Sequence, residues 1–497
     1  MQSGRRNDLN HLISEKEKIF VFGTGNNAIK LHKVFTDRGE EIKICAYVDN
    51  NPDRWENIFF EKPVISAEKL VQEMNGQDLL ILSMEAYEEV ENQMIQLGVT
   101  QKNIMTIHTY LDMCAEEKIA EVRERKQKRD VIKVGFITQE IQSWDKTAPV
   151  YEAMRKKDNF EPVLFIVPLL NFQTVELRKE SHFTIFQQKY PDAEIILTDE
   201  KTDMAEYELD YLFMTAPYDA YYPENLRSDR LANQTLLCCI PYAYIGAYNF
   251  FPVSIPRPFF RNVFCTFVAM TEEKDWLLKY FGDSVERGNR KILDIGYPSL
   301  EQIPVREPME NGRIMWTPRW SYDRQVGGSN FFEYYDTVCE IKETYPQREL
   351  VIRPHPMMFD QFVRKGMMSE KDVENCKQEI ANRNIGLDED SDLNTALENT
   401  AILITDFSSI IMQFFMTERP IIYCHSEIIH LDHDYEKLME GIYVANNEEE
   451  IKRALYEIIE NGDPLREKRK RIREEIFKKC QGTIERVIRT LEEDHGC

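Results

Sequence analysis

Two short turns carry the residue types best suited to holding and transferring a phosphate. One is Arg353-Pro354-His355-Pro356 and the other is Asp406-Phe407-Ser408-Ser409. A histidine between two prolines sits in a stiff turn, where its ring can hydrogen-bond or stabilise charge on a departing phosphate. Two serine hydroxyls beside the first N–H groups of a helix add donors to the partial positive charge there, which suits a phosphate or diphosphate. Ser408 is equally well read as a plain N-cap. Arg353 and Arg319 are of the type that clamps phosphate oxygens. A separate candidate lies near the start of the chain, in Gly23-Thr24-Gly25-Asn26-Asn27-Ala28. Its glycines allow a tight turn and close approach to a phosphate, and Asp49, 26 positions after Gly23, is placed to bind a ribose hydroxyl.

The elements that position these residues follow from apolar runs. Ala401–Thr405 is a buried strand, Ile410–Met416 a helix apolar on nearly every side, and Ile421–Cys424 the next strand. That is a βαβ unit with its polar turn at the carboxyl end of the first strand, where open α/β sheets bind ligands. Ile314–Thr317 and Leu350–Arg353 are further strands, so Arg319 and His355 also follow strands. His355 and Asp406–Ser409 face one cleft if their strands are parallel neighbours. Upstream, Val131–Ile137, Val163–Val167, Ile195–Thr198, Tyr211–Met214, Leu236–Ile240 and Ile292–Gly296 read as strands of another parallel sheet. Lys18–Val21, Ile42–Val48 and Leu79–Ser83 make a small third unit. The fold class is α/β, with residues 1–112 a Rossmann-like domain, 113–130 a linker helix, and 131–300 and 301–497 two Rossmann-like lobes.

Composition narrows the function classes. A chain of 497 residues exceeds one core, and a net charge of −24 argues against nucleic acid as a partner. The ten cysteines show no paired metal spacing, and the adjacent Cys238 and Cys239 are read as reduced thiols. His425, His430 and His433, with Asp432 and Asp434, match no standard metal pattern. No apolar leader opens the sequence and no apolar run is long enough to span a bilayer, so a cytoplasmic protein is expected. Arg466–Arg473 (REKRKRIR) is a basic block in an acidic chain. It reads as a solvated helix face, or alternatively as a contact with anionic lipid at the inner membrane surface. Six tyrosines (Tyr218, Tyr221, Tyr222, Tyr242, Tyr244 and Tyr248) are read equally as a carbohydrate or polyol cleft and as ordinary core and rim.

Five segments in order resemble the CDP-glycerol glycerophosphotransferase family of teichoic acid synthesis. They are Ile295-Gly296-Tyr297-Pro298, Trp316-Thr317-Pro318-Arg319-Trp320, Arg353-Pro354-His355-Pro356, Thr405-Asp406-Phe407-Ser408-Ser409 and Arg419-Pro420-Ile421-Ile422-Tyr423. Gln481-Gly482-Thr483 and the closing helix resemble the family's C-terminal end. The resemblance implies a GT-B-like pair of lobes, with a CDP-alcohol donor and a polyol-phosphate or glycan-lipid acceptor. It implies no cofactor and no metal. His355 and Asp406 are then the candidate catalytic residues, and Arg319, Arg353, Thr405, Ser408 and Ser409 the donor-binding ones, with CMP as leaving group. Gly23, Gly25 and Asp49 remain candidates for a nucleotide in the first domain, where Tyr47–Trp55 resembles the small domains attached to many sugar-modifying proteins. The family's Trp-His-Gly element has no counterpart in Leu236–Asn249, which holds no histidine. The general base is therefore unassigned, with Asp145 or Glu140 as substitutes. Two other classes stay open: a GT-B glycosyltransferase using a nucleotide sugar, and a non-catalytic nucleotide-binding scaffold.

Overall fold

The computed structural model describes residues 9–496 apart from 127–128, 140, 169, 172–175, 178–181, 324–326 and 390–392. The chain forms two compact units, Met1–Glu124 and Arg125–Cys497. In the first unit the strands are β1 (Ile19–Phe22), β2 (Ile44–Val48), β3 (Ile58–Phe59), β4 (Lys62–Ile65), β5 (Leu79–Leu82) and β6 (Ile104–Thr106). They form one sheet in the order β3-β4-β2-β1-β5-β6, parallel except for the β3–β4 edge pair. β1 and β5 are fully buried, because helices cover both faces of such a sheet. The helix expected at 113–130 is observed at Ile107–Arg125.

The second unit contains two larger sheets. The first is built from β7 (Ile132–Thr138), β8 (Phe160–Ile166), β11 (Ile195–Leu197), β12 (Tyr211–Met214), β13 (Leu236–Cys239), β14 (Val263–Val268) and β15 (Lys291–Asp294). Between β8 and β11, β9 (Leu170–Asn171) and β10 (Glu176–Leu177) form a separate antiparallel pair. The large sheet is parallel, in the order β11-β8-β7-β12-β13-β14-β15. The sequence reading passed over β14, although every residue of it is buried. The second sheet contains β16 (Arg313–Thr317), β17 (Leu350–Ile352), β18 (Gly386–Leu387), β19 (Thr400–Thr405), β20 (Ile421–Cys424) and β21 (Tyr443–Ala445). It too is parallel, in the order β18-β17-β16-β19-β20-β21. This is the expected GT-B-like pair of Rossmann-like lobes, preceded by a small Rossmann-like unit.

Each large sheet grows one way and then reverses. The chain winds outward from β7 through β8 to β11 before returning to β12, and from β16 through β17 to β18 before returning to β19. Crevices open where the order reverses, outside the strand ends. The loops after β7, β16 and β19 are therefore the places to seek chemistry, and they carry Asp145, Arg319 and Asp406–Ser409.

The C-terminal helix Thr483–His495 fastens the two lobes together. Thr483 Oγ1 donates to the Ile295 carbonyl at 2.8 Å, and Asn159 Nδ2 donates to Glu492 at 2.9 Å. Buried Asp494 accepts from the Tyr211 hydroxyl at 2.7 Å and pairs with Lys291 at 3.2 Å. The basic block is less solvated than the sequence reading has it. Arg469 is wholly buried, donating to the Glu418 and Gly441 carbonyls at 2.9 and 3.0 Å and pairing with Asp463. Arg469→Leu leaves these acceptors unpaired and should cost about 2–3 kcal/mol, read as a lower unfolding midpoint. An unchanged midpoint would return the block to a solvated role. Among the described residues, no helix is long and apolar enough to cross a membrane.

Candidate active site

Asp406 organises the carboxyl end of the second lobe. It is completely buried, and both carboxylate oxygens are committed. Oδ2 accepts from the backbone N–H of Arg319 at 2.7 Å and of Asn330 at 3.2 Å, while Oδ1 accepts from Asn330 Nδ2 at 2.9 Å. Burial pushes this carboxyl up to about 6, and those hydrogen bonds oppose the shift. Expected as a catalytic group, Asp406 ties the loop after β16 to the start of the helix Phe331–Thr344. Thr405 is also fully buried, within hydrogen-bonding distance of Thr317 Oγ1 at 2.7 Å, so its hydroxyl braces the sheet.

Held in this way, Arg319 reaches across the mouth of the crevice. Its Nη1 donates to the Phe407 carbonyl at 2.8 Å, and its guanidinium lies over the ring of Phe250 from the first lobe, 4.9 Å from the centroid. His355 stands beside it. Its strand and that of Asp406 are parallel but not neighbours, since β16 lies between β17 and β19. His355 is exposed to solvent, with its ring 6.0 Å from that of Trp320. Burial and the Arg319 charge push it down to about 4. Met357 N–H donates to Nδ1 at 3.2 Å, so the neutral ring carries its proton on Nε2. His355 is therefore a neutral hydrogen-bond donor at physiological pH.

Ser408 and Ser409 are half-buried at the start of the helix Ile410–Phe415. Ser409 occupies the cap position without a side-chain cap, while Ser408 Oγ accepts from Ile410 N–H at 3.4 Å. Ser409 Oγ is thus the one not used to end the helix. Arg353, expected as a phosphate clamp, is held by Asp388 at 2.7 Å, with only about a tenth of its side chain exposed.

The histidine-free stretch of the first lobe covers this site from above. Ala247 bridges to Leu431, Tyr248 N–H donates to the His430 carbonyl at 2.9 Å, and Asp432 N–H donates to the Gly246 carbonyl at 3.0 Å. Gly246 has φ +72°, and a Cβ there would lie 2.3 Å from the Tyr435 ring. Of the six tyrosines, Tyr244 donates to Asp434 at 2.7 Å, and the hydroxyls of Tyr218 and Tyr242 meet at 3.0 Å. Among the described residues, no three histidine, cysteine or acidic side chains are arranged to hold a metal, those at 425–434 included. Asp145 enters from the loop after β7, where its Oδ2 accepts from Lys146 Nζ at 2.6 Å and from Gln413 Nε2 at 3.0 Å. Glu140 lies outside the described residues.

In the first unit, Gly23 has φ +106°, and a Cβ there would lie 2.5 Å from the Oγ of Ser83, just past the end of β5, so glycine is required. Asp49 is occupied by its own loop, accepting from Thr24 Oγ1 at 2.6 Å and pairing with Arg54 at 3.2 Å. Gly25 precedes the helix Asn26–Asp37 in extended backbone, with no side-chain cap. Asn330, Phe250 and Gln413 were missed by the sequence reading, because each acts through a partner far away in the chain.

Residues 289–493 match the family described as CDP-glycerol:poly(glycerophosphate) glycerophosphotransferase, and residues 15–105 match a different family, C2185-like, N-terminal. The resemblance read from the five segments is thus borne out over the C-terminal part of the chain. A search of curated proteins gives no match. Among solved structures, UDP-GlcNAc 2-epimerase from Neisseria meningitidis bound to UDP-GlcNAc is similar at 12% identity and TM-score 0.48, covering 73% of this chain and 100% of that one. The wall teichoic acid polymerase TagF is similar at 13% identity and TM-score 0.42, covering 77% of this chain and 94% of that one. A variant of TagF soaked with CDPG is similar at 14% identity and TM-score 0.43, covering 77% and 93%.

Proposed function

We propose, from the match of residues 289–493 to the glycerophosphotransferase family, that this chain transfers glycerol phosphate or a related polyol phosphate from a CDP-activated donor to an acceptor hydroxyl. The setting is the assembly of a teichoic-acid-type surface polymer. The observation that carries the reading is the convergence of His355 Nε2–H, the Arg319 guanidinium and the Ser408–Ser409 turn at the ends of β17, β16 and β19. Donors held in place before the reaction stabilise charge where it develops, and a diphosphate that loses CMP develops its charge on the bridging oxygen. In this reading His355 donates to that oxygen, Arg319 supplies the positive charge, and Ser409 orients the phosphate. Asp406, Thr405 and Arg353 position these groups. In this reading the protein works at the inner face of the cell membrane on a lipid-linked acceptor.

Calorimetric titration with CDP-glycerol, CDP-ribitol, CMP and UDP-sugars tests this. A CDP-alcohol should bind, and Ser409→Ala should weaken it about 5–10-fold through the loss of one hydrogen bond to a charged group. Preference for a UDP-sugar would move the protein to the glycosyltransferases. Binding of no nucleotide would leave a scaffold.

A further inference from the structure

The two lobes are clasped beside the donor turn. Ala247 of the first lobe bridges to Leu431 of the second, antiparallel, and the Tyr248 and Asp432 N–H groups bond across on either side of that bridge. His430 N–H donates to Asn249 Oδ1 at 3.2 Å, and the Tyr244 hydroxyl donates to Asp434 at 2.7 Å. Residues 246–250 thus form a strap tied to 430–434. Phe250, at its end, is only 7% exposed. Its ring centroid lies 5.6 Å from that of Phe407, which in turn lies 5.4 Å from that of Tyr435. Phe407 stands between Asp406 and Ser408, so the strap packs against the donor turn itself.

Two contacts seat the Arg319 guanidinium there. Its own lobe offers the Phe407 carbonyl, which accepts from Nη1 at 2.8 Å, and the opposite lobe offers the Phe250 ring, with its centroid 4.9 Å away. A carbonyl and an aromatic face attract a cation without carrying a formal negative charge. These contacts therefore fix the guanidinium without cancelling it. Arg353 is the contrast, since the Asp388 carboxylate pairs with it at 2.7 Å. A cation that must answer charge developing on a diphosphate needs the first kind of seat, because a fixed but uncancelled charge stabilises that charge most.

We infer that Phe250 is a positioning residue for transfer, holding the Arg319 charge at the donor turn from the opposite lobe while the strap 246–250 is clasped to 430–434. The inference rests on the transferase reading above. The stretch that lacks a histidine thereby completes the donor site from across the cleft. A donor enters and CMP leaves with the strap lifted, and the phosphorus–oxygen bond breaks with it down.

The test uses the full chain with CDP-glycerol as donor and sn-glycerol 3-phosphate as acceptor probe. Donor binding is read by calorimetry and CMP release by rate. Phe250→Leu keeps an apolar side chain and loses the ring, whereas Phe250→Tyr keeps the ring. Phe250→Leu should slow CMP release about tenfold with the CDP-glycerol Kd within about twofold, and Phe250→Tyr should recover most of the rate. Equal rates in the two variants would overturn the inference, since packing alone does not distinguish them. Gly246→Ala puts a Cβ 2.3 Å from the Tyr435 ring and should lift the strap. Hydrogen exchange at the Tyr248 and Asp432 amides should then quicken and CMP release slow. A lifted strap with an unchanged rate would also overturn the inference.

A third readout needs no reaction. Unfolding midpoints of Phe250→Leu, Arg319→Met and the double variant report whether the ring and the cation are coupled. The double variant should lose less than the two single losses together, and additive losses would overturn the contact. Failure of the wild-type chain to bind CDP-glycerol or to release CMP would instead overturn the transferase reading, while the midpoints still read the pairing of Phe250 with Arg319.

Discussion

Replacing His355 by alanine is expected to slow transfer about 10³-fold, a loss of about 4 kcal/mol of transition-state stabilisation. His355→Gln should recover about tenfold of this. The reason is the ring's fixed hydrogen-bonding pattern. Met357 N–H occupies Nδ1, so Nε2–H points out as a donor, and a glutamine amide N–H reaches a similar place. A ring pushed down to about 4 by burial and by Arg319 stays neutral through the working pH range. The rate should therefore show no limb near the ordinary histidine value between pH 5.5 and 8. A limb at pH 6–7 that disappears in His355→Gln would show proton transfer by this residue and sink the donor role.

The strands and turns that position this candidate site were legible in the sequence, while the partners of its side chains were not. Buried parallel strands read as continuous apolar runs, so β19 and β20 stand out, and a polar turn after such a run marks a crevice. That β16 separates His355 from Asp406 depends on strand order, which no local pattern encodes. Asp406 looks catalytic by residue type. Its partner Asn330 lies 76 positions away, so nothing near it announces a brace. The same holds for Arg469, whose acceptor Glu418 is 51 positions away and which looks like one of several surface cations. β14 was hidden for another reason. It follows the proline-broken stretch Phe251–Phe260, which blurs where the apolar run of the strand begins.

The second large effect is on stability and concerns a seam between the lobes. Glu273, in the helix Thr271–Glu286, is almost fully buried; its Oε2 accepts from Ala269 N–H at 2.9 Å, and its Oε1 has no partner. Across the seam stands Asp432, wholly buried, with Oδ1 accepting from Tyr435 N–H at 3.0 Å and Oδ2 unpartnered. Glu272, Asp294 and Asp434 add negative charge around the pair, and Lys479, paired with Asp434 at 3.0 Å, also faces Asp294 and Glu272 and offsets part of it. Burial pushes Glu273 up to about 8 and Asp432 up to about 7. The folded chain thus holds these protons more tightly than the unfolded chain. The associated stability is fully present below the ordinary carboxyl range and is lost as pH rises through 7 to 8. For Glu273 alone the loss from pH 6 to 9 is about 3 kcal/mol. Glu273→Gln keeps an acceptor for Ala269 N–H and cannot ionise. Its unfolding midpoint should match the wild type at pH 5 and exceed it by about 5 °C at pH 8.5. Parallel midpoint curves for the two proteins would mean that Glu273 is already ionised in the fold, with its charge balanced from across the seam.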